Sequence, residues 1–262
     1  MKKYIYKILT LLMVSSVCFP FSALAYVDNG VGISNPSLSY EGYRLFASGK
    51  AVAYASGSYV DTLRCTVYVT NVNTGKVIIN ETSTAVPGSN SVLATASANT
   101  GNGYYKNHIF AVNFVKGNST PGTSSYDVYL NTNNSLRALS TAEIEKVLSS
   151  SKEELKKERD NLFTSFGHNV NDFSFYLDDE LSNELFLYDY ISIRDNLMLV
   201  PGDSVPGYYL NDTNNTLIAV KEDSEGTRYQ YIFGKSASDT WDYLGNKNCM
   251  SACLEKAPTY LS

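Results

Sequence analysis

The chain has 262 residues, 18% charged, 44% hydrophobic and 13% aromatic, which excludes a disordered acidic tail, a collagen-like repeat and a coiled-coil polymer. A formal charge of −5, from 21 Lys and Arg against 26 Asp and Glu, leaves no footprint for nucleic acid, whose affinity comes from clustered cations releasing counterions.

The amino-terminal stretch Met1 to Ala25 opens on Lys2, Lys3 and Lys7, continues through the apolar run Ile8 to Val14, and ends in Ala23-Leu24-Ala25. Basic start, short apolar segment and small residues at the cut make this a signal peptide of bacterial type, cleaved after Ala25. The apolar run is shorter than the ~20 residues of a spanning helix. Cys18 lacks the Leu and small-residue context of a lipoprotein box. The carboxy-terminal end carries no sorting motif or hydrophobic tail, so the expected product is secreted and extracellular, with no membrane anchor. Removing the leader takes away three lysines and no acid, so 237 residues remain with a charge of −8. It also turns four cysteines into three: Cys65, Cys249 and Cys253. Three thiols in an exported chain are too few for a disulfide-built scaffold, so a packed core must hold the fold together.

From Tyr43 to Leu130 the text is a series of short alternating segments: Tyr43–Ser48, Ala51–Ser56, Thr62–Thr70, Lys76–Asn80, Ser91–Ala98, Tyr104–Val115 and Tyr126–Asn131. In Thr62–Thr70, Leu63, Cys65, Val67 and Val69 share one face while Thr62, Arg64, Thr66 and Thr70 share the other, the period of a half-buried strand. Asn73-Thr74-Gly75 supplies a tight turn into the next segment. Short strands without crossover helices predict an immunoglobulin-like β-sandwich over residues 26–137.

A polar stretch, Asn131 to Ser135, separates this from a small α+β domain expected over 138–262: a long helix, an antiparallel meander and a carboxy-terminal helix. The long helix begins at the capping box Ser140-Thr141-Ala142-Glu143, carries Ile144, Leu148, Leu155 and Leu162 on one stripe, and ends at Gly167. Its charged run, Lys152 to Asp160, reads as a solvated face with Glu153 and Lys157 as an i,i+4 pair. Strands are expected at Phe173–Leu177, Leu185–Ile193, Leu197–Val200, Tyr208–Leu210, Leu217–Val220 and Tyr229–Phe233, and a helix from Asp239 to Leu254. The fold class is therefore mainly β.

Candidate chemistry is sparse. Cys249 and Cys253, four apart on the expected helix, present two sulfurs on one face, but zinc wants four ligands and the only histidines are His108 and His168, so no metal or cofactor is expected. Cys65 alternates with apolar residues and reads as a core thiol; a bridge from it to the carboxy-terminal pair is the competing expectation. A thiol hydrolase would draw on His168 with Cys249 or Cys253, oriented by Asp172 or Asn171, yet no nucleophile motif surrounds either thiol and no Gly-x-Ser-x-Gly segment or phosphate-binding loop is present. Asp178-Asp179-Glu180 falls between two expected strands and reads as a solvated loop, although glycosidases and calcium sites use such acids. Tyrosine is the one compositional excess, with 21 against 11 Phe and 1 Trp. Tyr188 and Tyr190 alternate with Phe186, and Tyr229 and Tyr231 alternate with Phe233, so each strand would present an aromatic stripe suited to a glycan or protein partner.

The expected function is a secreted bacterial two-domain protein with a non-catalytic binding role at the envelope or in the medium. The competing expectations are a secreted hydrolase with a Cys/His site in the carboxy-terminal domain, and a secreted toxin, bacteriocin-like factor or inhibitor.

Overall fold

The computed structural model describes residues 30–133 and 141–250. The leader with Cys18, the helix-capping Ser140 and Cys253 lie outside the described residues.

Among these residues, twelve strands form three antiparallel sheets. The first has β1 (Val31–Glu41), β2 (Arg44–Ala53) and β5 (Ser91–Asn99) in the order β1-β2-β5; the second has β3 (Val60–Asn71), β4 (Lys76–Thr84), β6 (Tyr104–Val115) and β7 (Gly122–Asn131) in the order β4-β3-β6-β7. Their facing sides enclose one core. Leu63, Cys65, Val67 and Val69 of β3 meet Leu45, Ala47 and Ala51 of β2 there, with Ile109 and Ala111 of β6. The alternation in β3 therefore points its apolar set inward as its period requires. The segments expected at Tyr43–Ser48 and Ala51–Ser56 fall largely within one strand, β2. The β1 strand, which no alternation announced, is interrupted between Ser34 and Ser37 by a bulge at Asn35-Pro36, where Asn35 takes a positive φ.

The β3–β4 turn is built as its residues dictate. Asn71 accepts the backbone N–H groups of Asn73 and Thr74 at 3.0 and 3.1 Å, and Gly75 takes φ +57°.

Helix α1 (Thr141–Ser165) follows, and Gly167 at φ +88° turns the chain out of it. The charged run of α1 keeps Lys156 on the surface, paired with Asp160 one turn on, but Arg159 is buried and donates to Val205 O at 2.8 Å, and Lys152 reaches Glu180. After a single 3-10 turn come β8 (Ser174–Tyr176), α2 (Asp178–Glu184), α3 (Leu187–Leu197), β9 (Gly207–Asn211), β10 (Thr216–Glu222), β11 (Thr227–Lys235) and β12 (Trp241–Met250). The third sheet has the order β12-β11-β10-β9-β8, the expected meander.

Four expectations are corrected. Leu185–Ile193 is not a strand but the body of α3, because its buried positions Tyr190, Ile193, Arg194 and Leu197 recur at helical spacing. Leu197–Val200 is the end of α3 and the loop after it. Asp178-Asp179-Glu180 is the first turn of α2, where acids face the positive end of the helix. The carboxy-terminal segment is strand β12 through Met250, zipped onto β11 with a shift between Ile232 and Phe233; pairing with an open sheet edge overrides the helical spacing of its cysteines.

The third sheet is covered on both faces, which explains its continuous apolar runs. Tyr208, Leu210, Leu217, Ala219, Tyr231 and Phe233 face one core and Tyr209, Ile218 and Val220 face another, where Phe163 of α1 stacks on Tyr209 at 3.7 Å. The first of these cores also contains Tyr68 and Val77 of β3 and β4, with Phe110 and Val112 of β6. The second face of the four-stranded sheet is thus not solvated; the carboxy-terminal half seats on it. Backbone hydrogen bonds fasten the join, from Val77 N–H to Asp203 O at 2.9 Å, Gly202 N–H to Val77 O at 2.8 Å and Val205 N–H to Gly75 O at 2.7 Å. Arg64 and Asp195 add a two-pronged ion pair at 2.9 and 3.1 Å. No helix among the described residues is long and apolar enough to cross a membrane.

Candidate functional site

The residues singled out by sequence scatter. His168 follows α1, stacks on Phe163 at 4.7 Å, and its Nε2 lies 2.6 Å from Gln230 Oε1, so packing and a side-chain amide hold the ring. Cys249 is a free, half-buried thiol on β12 opposite Arg228. Cys65 is also free and fully buried; its thiol donates to Gly49 O at 3.3 Å, and burial pushes it up to about 11. Cys65 and Cys249 are therefore not bridged to each other, and Cys253, the other thiol of the expected carboxy-terminal pair, lies outside the described residues. Of the four tyrosines, Tyr190 and Tyr231 are buried and Tyr229 is half-buried, stacked on Tyr231 at 6.3 Å with its hydroxyl 3.3 Å from Asp223. Tyr188 alone stands at the surface, edge-on to Phe114 at 5.9 Å.

Two of the concave surfaces among the described residues gather polar groups around a buried carboxylate. The first is a groove of about 240 Å³ between the α2–α3 corner and the β11–β12 connection, lined by Glu184, Leu185, Phe186, Asp189, Lys235, Asp239 and Trp241. Phe186 starts α3 with its ring 77% exposed, while the chain's single tryptophan forms the buried wall opposite. Three carboxylates face one ammonium, and that ammonium is engaged by Asp239 at 2.7 Å. Asp189 is 6% exposed; burial pushes its carboxyl above the ordinary value, against the backbone N–H of Trp241 that it accepts.

The second is the seam between β3, β6 and α2. Tyr68 and His108 stand opposite each other on adjacent strands and face α2. His108 Nδ1 lies 2.5 Å from Asp127 Oδ1, and Lys106 is held between Asp127 at 3.2 Å and Asp179. Burial pushes the Asp127 carboxyl up, but the His108 hydrogen bond and the Lys106 charge outweigh it and hold the group below its ordinary value. An ionised Asp127 requires the proton on His108 Nδ1. Behind Tyr68 the Arg194 guanidinium lies flat on its ring at 3.7 Å, with Phe110 at 5.0 Å. Asp178 accepts the Tyr208 hydroxyl at 2.8 Å. Buried atoms without a hydrogen-bond partner concentrate here: Tyr68 Oη, His108 Nε2, Asp178 Oδ2, Tyr190 Oη and Arg194 Nε. Sequence reading missed both places, because their members are single residues from segments far apart. Phe186, His108, Asp178 and Asp179 were each visible in the sequence, but nothing along the chain brought them to their partners.

No family model matches the chain, and no curated protein matches it. Solved structures with partial likeness include a Bacteroides uniformis beta-glucuronidase 2, at 15% identity over 39% of this chain and 13% of that one, with a TM-score of 0.26. Beta-glucosidase 3B from Thermotoga neapolitana has 12% identity over 38% of this chain and 16% of its own, and a TM-score of 0.25. OgpA from Akkermansia muciniphila has 12% identity over 42% and 30%, with a TM-score of 0.25. The chain spans less than a third of each of these proteins, and resemblance at this level assigns neither fold family nor activity.

Proposed function

We propose that this chain is an exported bacterial protein with a non-catalytic binding role in the envelope or medium, an immunoglobulin-like sandwich over 26–137 joined to an α+β unit over 138–262 that takes a cationic partner in the Phe186 groove. The observation that carries this reading is the pairing of an exposed aromatic ring with under-compensated carboxylates. Phe186 offers a π face for a cation, and Asp189 is a buried acid whose charge a bound cation would offset. The acidic balance of the chain after leader removal, −8, adds attraction at longer range. Of the tyrosines singled out by sequence, Tyr188 remains at the surface, edge-on to Phe114 and not in this groove.

Because Trp241 is the only tryptophan and lines the groove, its fluorescence reports occupancy directly. The secreted chain titrated with hexalysine and with a glucosamine hexamer should show a saturable change with at least one, weakening as salt screens the carboxylates. The N-acetylated hexamer, which is neutral, should give none. Phe186→Ala should weaken the response about fivefold or more. A Trp241 signal unmoved by either cation, or moved equally by the neutral hexamer, would sink the proposal.

A further inference from the structure

The seam beside Tyr68 is a cleft of about 60 Å³ whose polar lining includes Tyr68, Lys106, His108, Asp178 and Asp179 and whose apolar walls are Val72, Leu155, Leu177 and Val205. Three of its buried polar atoms, Tyr68 Oη, His108 Nε2 and Asp178 Oδ2, have no partner in hydrogen-bond geometry, although Tyr68 and Asp178 lie close enough to interact, and each belongs to a side chain more than nine-tenths buried. Leaving such atoms unpaired in the interior is costly, so something polar belongs between them.

The donor and acceptor pattern says what. Asp178 Oδ2 accepts, and in the neutral imidazole, whose one proton Nδ1 donates to Asp127, His108 Nε2 is a lone pair. The Tyr68 hydroxyl is the donor. The occupant must offer two hydrogens and one acceptor. Asp127, Asp178 and Asp179 oppose an anion, while Lys106 and Arg194 oppose a cation. The space holds about four water-sized groups at ~15 Å³ each. We propose that this cleft binds a small neutral molecule ending in a primary carboxamide, its NH2 donating to Asp178 Oδ2 and His108 Nε2, its carbonyl accepting from Tyr68, and its apolar part against Leu155, Leu177 and Val205. The site is separate from the Phe186 groove and stands without it.

The test uses the full secreted chain with labelled Leu and Val methyl groups and three probes of one size: acetamide, acetate and ethylammonium. Acetamide should shift the methyl signals of Val72, Leu155, Leu177 and Val205 saturably, and the two charged probes should leave them in place. Tyr68→Phe keeps the ring on Arg194 and deletes only the hydroxyl, so the acetamide midpoint should rise about fivefold with thermal unfolding intact. Acetate or ethylammonium binding as well as acetamide would overturn the assignment. So would unmoved methyl signals, meaning that water alone fills the cleft, or an acetamide midpoint unchanged in Tyr68→Phe. Should that variant fail to fold, the three-probe comparison on the native chain decides alone.

Discussion

Replacing Gly75 by Ala probes how the two halves of the chain are locked. The residue sits in the β3–β4 turn at φ +57°, and a Cβ built there would stand 2.2 Å from Leu155 Cδ2 on α1. Two costs follow. An L side chain in the left-handed region costs about 1–2 kcal/mol. Forcing a methyl into the packed join costs a further ~1–3 kcal/mol, with the lower end reached if the Leu155 side chain swings away. Gly88 supplies the control: its φ is +86° and nothing lies within 4 Å of its Cβ position, so Gly88→Ala carries the backbone cost alone. In a Leu155→Ala background the contact is gone, and Gly75→Ala should then cost no more than Gly88→Ala, giving a coupling of about 1–3 kcal/mol. Urea unfolding followed by far-ultraviolet circular dichroism measures all five chains, provided the slope stays constant. If Gly75→Ala costs no more than Gly88→Ala, or shows no coupling to Leu155→Ala, α1 does not clamp the turn and the packing argument is wrong.

Three other outcomes are expected. Tyr208→Phe strips Asp178 of its donated hydrogen bond in a buried site and should destabilise the fold by about 1–3 kcal/mol in the same urea assay; a neutral substitution would mean that Asp178 is already solvated. The Asp127–Lys106–Asp179 cluster gives stability a defined pH window. Asp127 is held below its ordinary 3.8, so its contribution is complete above that value and is lost as pH falls through the lowered one. Burial pulls Lys106 down, but Asp179 and Asp127 outweigh it and hold it above 10.5, so its contribution is complete below that value and lost as pH rises beyond it. The thermal midpoint should therefore be level between, and Asp127→Asn, which leaves Lys106, His108, Asp179 and Tyr129 around the site, should flatten the acid limb; an unchanged acid limb counts against the cluster. With an aromatic disulfide reagent near pH 8, Cys249 of the native protein should react and Cys65 should wait for unfolding, since its thiol is buried and raised to about 11. Prompt labelling of Cys65 would mean that the core it occupies is open.

Where one physical signal acted alone, the sequence was legible. The β3 strand could be read because only the inner core decides which of its residues are apolar, and the Asn73-Thr74-Gly75 turn because its backbone geometry demands those residue types. The α3 helix was misread because two signals competed. Phe186, Tyr188 and Tyr190 alternate like a strand, while the helical set Tyr190, Ile193, Arg194 and Leu197 contains a charged residue that looks like a break in the apolar stripe. Arg194 is 5% exposed and lies on Tyr68 and Phe110. Its place in the stripe becomes apparent only once residues from the first half of the chain are put opposite it.

The same reason hides both candidate sites. His108 has its partner Asp127 on the neighbouring strand, and Asp178 of α2 has Tyr208 on β9, so neither makes a motif along the chain. What joins them is the burial of Tyr68, Phe110 and Val112 beneath α2 and α3, and that burial also keeps water from satisfying their polar neighbours freely. The carboxy-terminal half therefore does two things when it docks on the four-stranded sheet. It completes an apolar core, and it places unpaired donors and acceptors beside one cleft. The first alone would be met by an apolar residue at position 194. A guanidinium with an unpartnered Nε there, next to unpartnered Tyr68, Tyr190 and Asp178 atoms, is a costly way to build a join. The part of that cost that falls on Tyr68 and Asp178 is offset when the cleft holds a polar occupant, which is why the cleft, more than any exposed tyrosine, is where a bound small molecule would make this fold more stable.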